Sequence, residues 1–263
     1  MNYQTLKTEI RGQVAYCSLN RPEKRNALNE LMLTELMDFF QKLAGEKMAR
    51  VLVLRATGKV FSAGADLSVM RAVSGKNEKE LRKEAELFFD CFDRLYKIPV
   101  PVICYASGAV FGGANGLLAA SDFVLCDPET RFSFSEVKLG LLPATVAPFV
   151  IRRCGLINAK RLMLLAREFD AKEALEVGLT DMLCADEKAD DYIHELTAQI
   201  MENAPGAVSE TKGMLQKLAN HQETGNIREF CAGLIATSRQ SREAREGIEA
   251  FFNKTKPGWR IDQ

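Results

Sequence analysis

The sequence predicts an α/β fold, a parallel sheet covered by helices and followed by a helical tail. Three observations carry this. Residues 29–43 place apolar side chains at 31, 33, 36, 37, 39, 40 and 43, a helical period. The next apolar segment, VLVLRA at 51–56, is unbroken, as in a strand buried on both faces. A helix leading into such a strand is the repeating step of a parallel sheet. From Ala144 onward the pattern is almost entirely helical.

The elements follow in order. VAYCSL at 14–19 has strand length and is broken by Asn20-Arg21-Pro22. Asn29 suits the N-cap of the helix over 29–43. Residues 57–66 form a glycine-bearing loop after the strand at 51–56, and the polar residues 71–79 read as mobile. A charged helix over about 79–96 ends at Ile98-Pro99. VPVICYA at 100–106 is a buried strand that runs into Gly108, Gly112, Gly113 and Gly116 and then an apolar helix, GLLAAS, reaching Asp122. FVLC at 123–126 is a core strand and FSFSE at 132–136 a short alternating one. Helices are expected over 158–166, 171–178, 188–203, 206–219, 226–238 and 241–253, separated by Gly, Pro or Asp. The chain divides into a β/α core, 1–200, and a helical region, 201–263. The latter is too poor in strands for a core of its own. Its amphipathic helices are expected to pack on the core or on a neighbouring subunit.

Composition narrows the function. With 47% hydrophobic and 27% charged residues, the 263-residue chain is globular rather than disordered. Lys+Arg and Asp+Glu both number 35, and this zero net charge argues against a nucleic-acid partner. The seven cysteines are odd in number, scattered and never spaced as CxxC. They read as free, mostly buried thiols in a reducing compartment, not as a disulfide framework or zinc site. No apolar run approaches the ~20 residues of a membrane span. The N-terminus carries no signal-peptide pattern, so a cytoplasmic location with no membrane contact is expected. The only histidines, His194 and His221, lie in polar stretches far from the glycine-rich segment. Ser-His-Asp, Cys-His and His-based metal chemistry therefore rank low, and acid–base work falls to carboxylates.

The chemical lead is Ser107–Gly116, where a strand gives way to a helix through closely spaced glycines. It is not GxGxxG, so no dinucleotide fingerprint is present. Glycines there serve tight helix–sheet packing or let a ligand reach the backbone N–H groups. A second N–H donor would come from Phe61–Leu67, which also follows a buried strand. Within it Asp66 reads either as a helix N-cap or as a site carboxylate.

FSAGADL (61–67), then GAVFGGANGLLAASD about 45 residues later, then FSFSEVKLGLLPA, together with RPEKRNAL and EGIEAFFNKTKPGW at the two ends, resemble the crotonase, or enoyl-CoA hydratase/isomerase, family. The resemblance spans essentially the whole chain. It implies a spiral of ββα units with a C-terminal helical trimerisation region, assembled as a homotrimer or a hexamer (dimer of trimers). It implies acyl-CoA thioester substrates, with coenzyme A as part of the substrate and no metal or redox cofactor. Carried across, the oxyanion hole falls on the backbone N–H groups of Ala65 and Gly113. Two such donors stabilise the charge that develops on a thioester oxygen, and loss of one typically costs about 3–4 kcal/mol of barrier. Backbone around Ala63, Ala65 and Leu67 would line the adenine pocket, with Asp66, Gly112 and Gly116 in the substrate site. Lys24 and Arg25 match the basic stretch near the nucleotide, and Phe251 and Lys254 match C-terminal residues that reach CoA, often from a neighbouring subunit.

Many hydratases of the family use two glutamates. The second position falls on Glu136, but the first falls on Gly116 and is missing. Glu136 is either a salt-bridge partner at a strand end or the acid/base, its pKa raised by apolar walls. SEVKLGLLPATVAPFVI with FGGANGL further resembles the bacterial methylglutaconyl-CoA hydratase branch of leucine breakdown. The expected activity is hydration of a short enoyl-CoA. The alternatives are an enoyl-CoA isomerase using Glu136 as sole base and a noncatalytic acyl-CoA-binding protein.

Overall fold

The computed structural model describes residues 2–46, 48–66, 75–219 and 226–260. An antiparallel hairpin opens the chain: β1 (Leu6–Arg11) pairs with β2 (Val14–Leu19), from Leu6 opposite Leu19 to Arg11 opposite Val14. Helix α1 (Glu30–Glu46) follows, its N-terminus closed by Asn29, whose Oδ1 accepts from the Met32 N–H at 3.0 Å. Its stripe of Met32, Leu33, Leu36, Phe39, Phe40 and Leu43 is buried. Strand β3 (Val51–Ala56) then runs parallel to β2. Helix α2 (Glu78–Lys97) begins with a reciprocal Asn77–Glu80 capping box. Beyond it lie β4 (Val102–Ala106), β5 (Ala109–Phe111), α3 (Ala114–Ala119), β6 (Phe123–Cys126) and β7 (Arg131–Ser133). A short 3₁₀ turn, Glu136–Leu139, leads to α4 (Ala147–Leu165), β8 (Phe169–Asp170), α5 (Ala171–Glu176) and β9 (Met182–Leu183). The rest is helical: α6 (Ala189–Met201), α7 (Pro205–Ala219), α8 (Ile227–Gln240) and α9 (Arg242–Asn253).

The strands form two sheets. The larger has the order β1-β2-β3-β4-β6-β9 and is parallel except for the opening hairpin. The smaller, β5-β7-β8, joins β5 and β7 in parallel and β7 and β8 antiparallel. The unbroken run of β3 has a direct cause. Leu52 and Leu54 enter the main core with α1 and α2, while Val51 and Val53 pack on the opposite face against Ile193 of α6. With both faces covered, alternation disappears.

The tail is fastened to the N-terminal ends of β3 and β4. Lys212 of α7 is buried, and its Nζ donates to Asp122 Oδ2 at 2.5 Å and to the Val100 carbonyl at 3.0 Å. The Asp122 carboxylate also accepts from the Val102 N–H, at the head of β4. Arg50, just before β3, donates to the carbonyls of Met201, Asn203 and Trp259.

Several boundaries differ from expectation. β1 has alternating polar residues and little burial, and its pairing with β2 rather than its own pattern makes it a strand. FSFSE is strand only to Ser133, because the backbone turns into a 3₁₀ segment that begins at Glu136. The helix over 158–166 is the second half of a longer one, α4, kinked where Gly155 takes φ 75°. The helical C-terminal part contains two strands, β8 and β9, each of two residues and each the last of its sheet. Six of the seven cysteines are buried and none forms a disulfide. His194 is exposed on α6, while His221 and residues 71–74 lie outside the described residues. No helix among the described residues is long and apolar enough to cross a membrane.

Candidate active site

β3 and β4 are parallel neighbours, so the turns leaving their C-terminal ends lie side by side, where parallel sheets bind ligands. Two isolated parallel bridges lock these turns: Ser62 opposite Val110, and Leu28 opposite Ala65. At the second, the Leu28 N–H donates to the Gly64 carbonyl at 2.8 Å and the Asp66 N–H to the Leu28 carbonyl at 2.9 Å. In such a pairing the residue between the two bonds directs its own N–H the other way. The Ala65 N–H therefore faces away from Leu28. Among the described residues, neither Ala65 nor Gly113 donates a backbone hydrogen bond. Both expected oxyanion-hole donors are thus uncommitted.

The turns touch through backbone. Gly64 has φ 90°, and a Cβ on it would lie 2.6 Å from the Phe111 carbonyl oxygen, so only glycine fits. The Arg25 carbonyl accepts from the Ala63 N–H at 2.9 Å, which sets the exposed Lys24–Arg25 turn beside the same loop. Asp66 is held by Arg21, whose Nη1 donates to Asp66 Oδ2 at 3.0 Å and to the Ala27 carbonyl at 2.7 Å. These side chains are 15% and 14% exposed, so the pair serves the loop more than the solvent. Asn26 is wholly buried, and its amide donates to the carbonyls of Thr57 and Val60 while its Oδ1 accepts from the Arg21 N–H. RPEKRNAL is therefore the buttress of the 57–66 loop.

Glu136 opens the 3₁₀ turn and reaches back under the glycine turn. Its Oε1 lies 3.3 Å from where a Cβ on Gly112 would stand, so a side chain at 112 would crowd the carboxyl group. Its Oε2 is buried and has no hydrogen-bond partner among the described residues. Burial pushes the pKa of Glu136 above its ordinary 4.5, with its own backbone amide acting weakly in opposition. The segment that carries it is joined to the glycine turn. The Gly112 N–H donates to the Ser133 carbonyl at 2.8 Å, and the buried Asn115 amide donates to the carbonyls of Gly112 and Ser133, each at 3.0 Å.

On the α3 side the glycine turn is backed by aromatic rings. A Cβ on Gly116 would meet the Phe92 ring at 2.6–2.8 Å, and one on Gly113 would lie 3.5 Å from Phe88. Phe92 is fully buried and its ring packs on Phe149 at 5.9 Å and Phe88 at 6.3 Å.

The structure brings together Ala63, Ala65, Asp66, Gly112, Gly113, Gly116 and Glu136, with Lys24 and Arg25 at the margin. Leu67 lies outside the described residues. Phe251 and Lys254 stand apart within one chain. Their helix, α9, is tied through Glu243 to the start of α7, and Trp259 just beyond it to Arg50, at the opposite ends of the strands. Arg21, Asn26, Asn115, Phe88 and Phe92 support the site without being predicted. The i, i+4 spacing of Phe88 and Phe92 in a charged helix was the available signal for the last two.

Residues 9–262 match the family model described as enoyl-CoA hydratase/isomerase. The crystal structure of an enoyl-CoA hydratase from Shewanella pealeana superposes with a TM-score of 0.93 at 34% identity, covering 97% of this chain and 96% of that one. An enoyl-CoA isomerase/hydratase of Mycosarcoma maydis is 30% identical, over 95% of this chain and 93% of its own. A trans-2-decenoyl-acyl-carrier-protein isomerase of Streptococcus mutans is 28% identical over 98% of both chains. The two-sheet topology, the close superposition and a match along nearly the full length converge on one conclusion: the chain belongs to the enoyl-CoA hydratase/isomerase family and has the crotonase fold.

Proposed function

We propose that this enzyme hydrates a short enoyl-CoA, with Glu136 as its only acid/base and the Ala65 and Gly113 N–H groups as the oxyanion hole. The observation that carries the reading is the half-buried Glu136, whose Oε2 is buried and unpartnered among the described residues and whose carboxyl lies directly beneath the glycine turn. The Glu136 carboxylate takes a proton from water as the water oxygen bonds to Cβ. The electron pair of the double bond moves to the thioester oxygen, where two aligned donors stabilise the enolate. The same carboxyl group then returns the proton to Cα. A carboxyl with a raised pKa suits both halves of this exchange near neutrality.

The substrate we favour is 3-methylglutaconyl-CoA or a close analogue, whose own distal carboxylate would help to orient the water. Lys24 and Arg25 would meet the nucleotide end of CoA. Phe251 and Lys254 would do so from a neighbouring subunit of a trimer or hexamer. Phe251 is 79% exposed, which suits an intersubunit role. The chemistry needs no cofactor beyond the CoA of the substrate, and free, buried thiols suit a cytoplasmic enzyme.

One observation favours a second reading. Phe92 fills the space a side chain at 116 would need, so 116 offers no carboxylate, and moving a proton between Cα and Cγ needs only one. Both sequence relatives named above bear isomerase names, that of Mycosarcoma maydis together with hydratase. Turnover of crotonyl-CoA, 3-methylglutaconyl-CoA and a 3-enoyl-CoA in ¹⁸O-water separates the readings. Hydration places ¹⁸O in the product, whereas isomerisation moves the double bond without it. If the 3-enoyl-CoA isomerises and neither 2-enoyl-CoA gains ¹⁸O, hydration is lost.

A further inference from the structure

We infer that Phe92 determines which reaction this site performs, by occupying the space of a second acidic side chain. The inference deepens the proposed function and rests on it. Gly116 is fully buried in α3, and glycine inside a helix is unfavourable relative to alanine, so its presence needs a cause. Here the cause is steric. Three ring atoms of Phe92 lie 2.6–2.8 Å from the position of a Cβ at 116, closer than any real contact allows. The ring has little freedom to withdraw. It is fully buried and wedged against Phe149, which also packs on Phe89 at 5.5 Å and Tyr96 at 6.2 Å. Any side chain at 116 must displace part of this cluster.

Residues 92 and 116 therefore act as one unit. Phe92 keeps 116 bare, and a bare 116 leaves Glu136 without a carboxylate across the site. One helical turn earlier, Phe88 lies against Gly113 and continues the same wall past the oxyanion-hole donor. Of the two rings only the half-buried Phe88 can meet an acyl group, while Phe92, fully buried behind it, fills the space a side chain at 116 would take, so the handling of water is left to Glu136 alone. Phe92 is on this account a specificity-determining residue that acts through the space it fills.

A double-mutant cycle tests the pairing, and product analysis tests its chemical meaning. Gly116→Ala should lower the Tm of the intact protein by at least ~3 °C. In the Phe92→Leu background the same change should be neutral or raise the Tm, since Leu withdraws the contacting ring edge and helix propensity then favours alanine. A Gly116→Ala effect of the same sign and size in both backgrounds would overturn the inference. For the chemistry, Phe92→Leu/Gly116→Glu is compared with Phe92→Leu alone on crotonyl-CoA and a 3-enoyl-CoA. The added carboxylate should raise hydration relative to isomerisation by at least ~10-fold, the low end of acid–base effects. Thermal coupling with an unchanged product ratio would reduce Phe92 to packing alone and defeat the inference while leaving the proposed function standing. Failure of the wild-type enzyme to turn over any enoyl-CoA would defeat both.

Discussion

The buried Lys212 and the half-buried Glu136 are treated in opposite ways. Lys212 enters the core with partners ready: the Asp122 carboxylate and the Val100 carbonyl. Glu136 enters with one oxygen that no described group satisfies. Burial works against the charged form of both, lowering the pKa of the lysine and raising that of the glutamate. Among the described residues only the lysine has a counterion to offset it. A partnered charge fastens one element to another, here the helical tail to the head of β4. An unpartnered one is a standing cost to the fold, and its place beneath Gly112 is the ground on which we propose it as the acid/base.

The sharpest way to break this contrast is to neutralise the glutamate. Glu136→Gln keeps the shape and removes the titrating group. Steady-state assays on the preferred enoyl-CoA should show turnover falling by ~10²–10⁴, about 2.7–5.5 kcal/mol of barrier, with a much smaller change in CoA affinity. Retained turnover would remove Glu136 from the mechanism. Next in size is the opposite defect. Lys212→Met strands Asp122 and should cost about 3 kcal/mol of stability in urea melts, the low end for a broken buried pair because Asp122 keeps the Val102 N–H. The folded variant should keep its kcat, since Lys212 lies at the far ends of the strands.

Asn115 tests the link between the two turns. Asn115→Ala deletes the amide that joins the carbonyls of Gly112 and Ser133, at about 1–3 kcal/mol. If that amide holds Glu136 beneath the donors, kcat falls more than KM rises; equal loss in both would assign it to folding alone. The smallest expected effect concerns pH. A folded-state pKa above the unfolded one means that Glu136 contributes stability fully below about 4.5 and loses it as pH rises through its raised value. Glu136→Gln should therefore melt higher than wild type above neutrality, with the difference closing as pH falls below that point. The acid limb of the wild-type kcat/KM profile should lie above 4.5, and a limb at or below it would contradict the burial described here.

Much of this architecture was legible in the residues, and the gaps have physical reasons. VLVLRA announced a strand covered on both faces, and Asn29 announced the cap of α1, because each is a local signal. β8 and β9 gave none, since two residues have no measurable period and owe their pairing to strands far away in sequence. FSAGADL, FGGANG and Glu136 were found as motifs, and their described residues do meet in space. The motif did not reveal that Glu136 begins a 3₁₀ turn rather than ending a strand. Nor did it show why 116 is glycine, because the reason sits 24 positions earlier on another helix. Steric exclusion between distant residues leaves no pattern in either one.

The bridge between Leu28 and Ala65 carries one last implication. The groups we propose for the thioester oxygen belong to the polypeptide spine, and every residue except proline supplies the same N–H. A mutational scan of positions 65 and 113 would record intolerance to bulk yet say nothing about the hydrogen bonds themselves. Those would be exposed only by changing the backbone, for instance by replacing an amide with an ester during chemical synthesis. New specificities on this scaffold can arise by re-dressing the walls while the anchor stays untouched.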